Sequence, residues 1–126
     1  MDQKHMNIAL IAHDGKKLDM ASFIFKNHTL LKGMTLYATH TTGTYIEKEG
    51  IEVHKLLSGP RGGDAQIAAM VAEGKLDAVL FFRDPLDAHP HEPDVQMLMR
   101  VCDVHNIPLA TNPATATMIL DTLAIR

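Results

Sequence analysis

At 126 residues, with a net charge of −3 and a hydrophobic fraction of 46%, the chain has room for one hydrophobic core and not for two. No basic tract is interleaved with aromatic residues, and Tyr37, Tyr45 and four Phe offer little for base stacking, so nucleic acid is not an expected partner. Cys102 is alone, which excludes an internal disulfide and fits a reducing compartment. No signal-type opening or membrane-length apolar run is present, so a cytoplasmic protein without a membrane partner is expected.

Short apolar runs alternate with helical periodicities. Residues 7–12 read as a first strand, followed by a helix with Leu18, Ala21 and Phe25 on its buried face. Residues 34–38 and 51–57 read as the second and third strands. Ile67, Met70 and Val71 mark a short helix closed by Gly74. Residues 78–82 read as a strand buried on both faces. Val95, Leu98, Met99 and Cys102 then follow a helical stripe, and residues 107–111 form a fifth strand that Pro108 assigns to an edge. Ala116, Ile119, Leu120 and Leu123 close the chain with a helix. Strands alternating with helices predict a single α/β domain over residues 1–126, with three α/β/α layers and a five-stranded parallel sheet.

Every chemically loaded stretch falls just after a strand: His13 to Lys17, Thr39 to Gly43, Ser58 to Asp64, and Arg83 to Asp94. Open α/β sheets bind ligands beyond the carboxyl ends of their strands, so the four loops are expected to meet in one crevice. In the run Ser58-Gly59-Pro60-Arg61-Gly62-Gly63-Asp64, glycines and proline suit a sharply turned backbone that approaches a ligand closely. Asp64 opens a helix there, as a cap or as a carboxylate kept ionised by the helix N-terminus and able to act as a general base. Thr39, His40, Thr41 and Thr42 combine hydroxyls with the free amides of a helix start, which suits a phosphate as well as it suits a Thr cap; Lys17 can add a charge. In the proline-stiffened loop, His91 suits a hydrogen-bond donor to a carbonyl, with Asp84 and Asp94 as orienting carboxylates. His89, His91 and Asp94 are usable metal ligands, but their spacing is not that of a zinc site and no cysteine pair supports one. His5, His28, His54 and His105 have no partners in the sequence and read as structural.

The chain resembles the methylglyoxal synthase family from about Asn7 to about Leu123. The resemblance rests on Ala9-Leu-Ile-Ala-His13-Asp14 with Lys17, Tyr37-Ala-Thr39 with Thr41-Thr42-Gly43, Leu57-Ser58-Gly59-Pro60, and Gly62-Gly63-Asp64. It continues through Phe81-Phe82-Arg83-Asp84-Pro85-Leu86, Pro90-His91-Glu92-Pro93-Asp94 and Ile107-Pro-Leu-Ala-Thr-Asn112. It implies strand order 3-2-1-4-5, a homohexamer, and a cofactor-free, metal-free lyase converting dihydroxyacetone phosphate to methylglyoxal and inorganic phosphate. Asp64 is then the proton acceptor and donor. His13, Lys17, Thr39, His40, Thr41, Thr42, Ser58, Gly59 and His91 bind substrate, and Asp14, Asp84 and Asp94 support them. Inorganic phosphate, fitting the same cradle, is expected to inhibit.

Three positions depart from the family pattern. His40 stands where the family usually has glycine, Ala65 and Ala68-Ala69 are plainer than usual, and some relatives continue past the position of Arg126 with a tail that serves a neighbouring subunit's phosphate site. The same fold also occurs as a phosphate-ligand-binding regulatory domain. Such a module needs the phosphate loops but not Asp64 and His91 together, and this chain has both.

Overall fold

The apolar run Asn7–Ala12 forms β1 in the computed structural model, which describes residues 5–125; Arg126, on which the tail comparison falls, lies outside them. A tight turn at Asp14–Lys16 leads into α1 (Lys17–Lys26), followed by a short α2 (His28–Lys32) that the periodicity does not signal. Next come β2 (Thr35–Ala38), α3 (His40–Lys48) and β3 (His54–Lys55). A 3₁₀ turn at Gly59–Arg61 precedes α4 (Gly63–Ala72), and β4 (Ala78–Phe82) follows. The chain continues through α5 (Glu92–Val104), β5 (Leu109–Ala110) and α6 (Pro113–Ala124).

All strand pairs are parallel, in the order β3-β2-β1-β4-β5 expected from the resemblance. Alternation along each strand sorts the core into two layers. Ile8, Leu10, Leu36, Leu80 and Phe82 face α1, α2, α3 and α6, where Met20, Phe23, Ile24, Leu31, Ile46 and Leu120 meet them. Ala9, Ile11, Val79 and Phe81 face α4 and α5 through Ile67, Val71, Val95, Leu98 and Cys102. Burying each large side chain contributes about 1.5–3 kcal/mol, so β1 and β4, covered on both faces, anchor the sheet. The chain leaves β1 toward β2 on one side and β4 toward β5 on the other. That reversal opens a crevice at the carboxyl ends of β1 and β4.

Three sequence expectations change. Helix α1 buries Met20, Phe23 and Ile24, and leaves Leu18 and Phe25 82% and 70% exposed. Both sets have helical spacing; the preceding turn, and Lys17 reaching back to the Ala12 carbonyl at 2.5 Å, set the rotation that selects the first. The third strand shrinks from residues 51–57 to two residues, because its ladder runs only against Tyr37 and Ala38 of the four-residue β2. The fifth likewise pairs only at Leu109 and Ala110. It does lie at an edge, where Pro108 contributes a carbonyl to Val79 N–H at 2.9 Å and needs no donor of its own.

Three of the four histidines read as structural acquire partners from distant segments. His5 contacts the Thr35 hydroxyl, His28 Nε2 lies 2.7 Å from the Glu49 carbonyl, and His54 stacks on Tyr37 with ring centroids 4.8 Å apart.

Candidate active site

The four loops meet. A cavity of about 90 Å³ at the carboxyl ends of the strands is walled by His13, Lys17, Thr39, Thr41, Ser58, Gly59, Asp64, His89 and His91, with Asp14 at its edge. Its size suits a molecule of a few heavy atoms. A larger hollow of about 570 Å³, lined by Met34, Glu47 and His54, carries none of the candidate catalytic or substrate-binding residues.

On the β1–β2 side the groups are donors. Gly43 N–H makes the first helical bond of α3, to the Thr39 carbonyl at 2.8 Å, so the amides of His40, Thr41 and Thr42 have no acceptor within the helix. Lys17 Nζ lies 3.3 Å from Thr42 Oγ1, at the same helix start. Burial draws the lysine pKa below its ordinary value, while Asp14 and Asp64 oppose that shift. Thr39 and Thr42 are buried, Thr41 lines the cavity, and His40 is exposed and outside the lining.

The glycines of the next loop are there for space. A Cβ on Gly63 would run into the Leu57 carbonyl and lie 2.9 Å from Thr39 Cγ2; Gly62 takes φ 110°, the left-handed region. A Cβ on Gly59 would come within 3.0 Å of His91 Nε2 and 3.3 Å of Asp64 Oδ1, so the Gly59 backbone abuts both side chains directly.

Asp64 does not cap α4. Its carboxyl is fully buried, neither oxygen has a hydrogen bond, and Oδ2 lies 3.6 Å from His91 Nε2. Burial raises its pKa above 3.8 and Asp94 adds to the rise; His91, Lys17 and His89 pull the other way without overcoming it. Burial therefore works against the ionisation that the sequence reading assigns to the helix terminus. Desolvation is the largest influence on Asp64, because the side chain sits in the protein and not in water. A carboxyl raised in this way is a stronger base when it does ionise.

His13 is held in one form. The Asp84 backbone N–H donates to His13 Nδ1 at 3.0 Å, which makes Nδ1 an acceptor and places the ring hydrogen on Nε2, a buried atom with no protein partner. Burial, then the charges of His89, His91 and Arg83, lower the His13 pKa to about 4. At neutral pH His13 is therefore an uncharged N–H donor at the cavity wall.

The supporting carboxylates stand further back. Asp84 Oδ1 accepts the Leu86 N–H at 3.1 Å and Oδ2 packs against Gly15, so its link to the site runs through its backbone and His13. Asp94, in the first turn of α5, acts on Asp64 by charge. Neither carboxylate reaches the His91 ring, whose Nδ1 is buried without a hydrogen bond. His89, weighed from the sequence only as a metal ligand, turns out to be part of the cavity wall. Among the described residues no group of three His, Cys, Asp or Glu is arranged to hold a metal ion.

A crevice at the strand reversal of a 3-2-1-4-5 sheet, with phosphate-type donors facing a buried carboxyl and imidazole, defines a class of small-molecule site. The family model of the MGS-like domain matches residues 19–111. Over 116 residues the chain is 55% identical to a methylglyoxal synthase of Moorella thermoacetica, covering 91% of each chain. Over 119 residues it is 57% identical to one of Caldicellulosiruptor saccharolyticus, covering 94% of this chain and 84% of the other. The crystal structure of methylglyoxal synthase from Elizabethkingia anophelis superposes with a TM-score of 0.86 at 45% identity, covering 92% of this chain and 77% of that one. The chain belongs to the methylglyoxal synthase family.

Proposed function

We propose that this chain is a methylglyoxal synthase: a lyase that converts dihydroxyacetone phosphate to methylglyoxal and inorganic phosphate. The observation that carries the reading is the Asp64 carboxyl, fully buried and unbonded 3.6 Å from His91, in the same small cavity as Lys17 and the head of α3. A regulatory domain that only holds a phosphate has no use for that costly carboxyl.

The phosphate of the substrate sits against the α3 amides, Thr39, Thr41, Thr42 and Lys17. This places the hydroxymethyl carbon at Asp64. The ionised carboxylate takes a proton from that carbon, and the carbonyl oxygen gains the negative charge. His91, His13 Nε2–H and the backbone at Ser58 and Gly59 donate to the oxygens of the resulting enediolate, which is the larger energetic problem for a carboxylate base. The hydroxyl on the deprotonated carbon then gives up its proton and becomes the aldehyde carbonyl as the C–O bond to phosphate breaks, and the phosphate leaves with the electron pair and takes up that proton. Lys17 and α3 hold that bond out of the enediolate plane and neutralise the departing charge. The remaining enolate takes a proton at its terminal carbon, delivered from Asp64, and becomes methylglyoxal, which leaves Asp64 ionised again. Asp14, Asp84 and Asp94 tune and position: Asp14 beside Lys17, Asp84 through His13, and Asp94 through its charge on Asp64.

Residues 1–126 act as one domain, in a homohexamer in the cytoplasm, without a cofactor or metal. No helix among the described residues is long and apolar enough to cross a membrane. The exposed Leu18 and Phe25 give α1 an apolar outer face that assembly would remove from water. Purified protein incubated with dihydroxyacetone phosphate should release methylglyoxal and phosphate in equal amounts, and treatment with a chelator should leave the rate unchanged. Absence of both products overturns the assignment.

A further inference from the structure

We infer that His89 is a substrate-contacting residue of this site: stacked on His13, it donates from its buried Nε2 to the substrate oxygen that becomes negative when Asp64 takes the proton. The inference rests on the proposed lyase reaction and adds to it a group that the resemblance does not assign.

The geometry is specific. The His89 and His13 rings lie face to face, with centroids 3.7 Å apart and planes 28° from parallel. The His91 ring stands edge-on to both, at 5.6 Å from His89 and 5.8 Å from His13. Three imidazoles thus form one wall of the cavity. Each presents a buried nitrogen with no protein partner: His13 Nε2, His89 Nε2 and His91 Nδ1. Both Asp64 oxygens are in the same condition. Buried polar atoms without partners are costly, and several gathered in one cavity mark the place where a polar ligand supplies the missing bonds.

The end of the substrate that His89 meets follows from the division of the cavity. Phosphate-type donors come from the β1 and β2 ends. His89 comes from the loop after β4, as does His91, and its neighbours are His13, His91 and Asp64. It therefore faces the reacting carbons and their oxygens. Pro90 follows it directly, limiting the conformations open to His89, and the ring is pinned against His13, so little ordering is left for the substrate to impose. The stack also fixes His13. The His89 ring opposes a charge on His13, which helps to keep His13 an uncharged donor.

Two substitutions separate donation from packing. His89→Phe keeps an aromatic ring on His13 and removes the N–H; His89→Gln replaces the ring but keeps an amide donor near the position of Nε2. Turnover of dihydroxyacetone phosphate would be measured with affinity for a phosphorylated hydroxamate that mimics the planar enediolate, and with affinity for inorganic phosphate. His89→Phe is expected to lose roughly 10²-fold in kcat, the size of one lost oxyanion donor. It should lose hydroxamate affinity in parallel and keep its affinity for phosphate, while His89→Gln recovers most of the loss. If His89→Phe matches the wild type in turnover and hydroxamate binding, His89 is packing alone and the inference fails. Equal losses in both variants, or a loss confined to phosphate affinity, also overturn it. A wild type inert toward dihydroxyacetone phosphate removes the underlying reaction and this inference with it. An active wild type with an unaffected Phe variant removes this inference alone.

Discussion

Asp64 shows how one side chain trades stability for chemistry. Its pKa is raised in the folded protein, so the fold prefers the protonated form, and ionising the carboxyl costs stability. That penalty is absent below the unfolded carboxyl pKa, grows as pH rises through and beyond it, and is complete above the folded value. Asp64→Asn, uncharged at every pH, should therefore unfold at a higher temperature than wild type at neutral pH, with the gap closing in acid. Its turnover should fall roughly 10²–10⁴-fold or more while phosphate affinity persists. Paired melting curves at several pH values and a product assay check both parts. Lys17 contrasts with it. In the proposed reaction it meets a group that is remote in the proton transfer and leaving in the elimination, so Lys17→Ala should raise KM and lower kcat together. His13 has the opposite sign in pH. Its folded pKa of about 4 lies below the ordinary 6.5, so its contribution to stability is whole above 6.5 and is lost as pH falls through 6.5 toward 4. NMR titration of its ring should show no change between pH 6 and 8 and a midpoint near 4.

Elements position these groups through their ends. Helix α4 begins against the carbonyl of Leu57, which leaves no room for a Cβ on Gly63. Gly63→Ala must push the start of α4 away from that carbonyl and carry Asp64, the next residue, with it. A loss of about 1–3 kcal/mol in denaturant unfolding is expected, as for other overpacked sites, with a fall in kcat larger than stability explains. Helix α6 offers a control whose capping residue does not line the site cavity. Asn112 Oδ1 accepts the Thr115 N–H at 3.0 Å and caps the helix. Asn112→Ala should cost about 1 kcal/mol and leave turnover at its wild-type value. If both substitutions change stability and kcat alike, the two helix starts do not differ in the way the structure describes.

For the molecule as a whole, the proposed phosphate cradle lies at the ends of β1 and β2, in the same cavity as Asp64, the proposed base. A product held by that cradle competes with substrate, so millimolar inorganic phosphate should raise the apparent KM. In an assembly of several copies, its effect can be cooperative. Phosphate that leaves both rate and KM untouched would move the cradle elsewhere. Sedimentation should give six times the 13.9 kDa of one chain. Charged residues in place of Leu18 and Phe25 should lower that mass if α1 lies in the interface.

Alternating apolar runs and helical stripes in the sequence were enough for a parallel α/β sheet, because strands buried on both faces must be apolar along their whole length, as in Ala78–Phe82. Loops placed after strands pointed to a single crevice for the same topological reason. Other features depended on neighbours distant in the chain. The rotation of α1 turned on its entry turn, the length of β3 on where β2 ends, and the state of Asp64 on burial, not on its position at a helix start. His89 looked like one polar residue among several in a proline-rich loop. Its stack on His13 joins residues 76 positions apart. Local sequence carries the period of an element and the residue types of a loop. Desolvation and ring contacts arise when separate loops close on one another, and so belong to the folded chain.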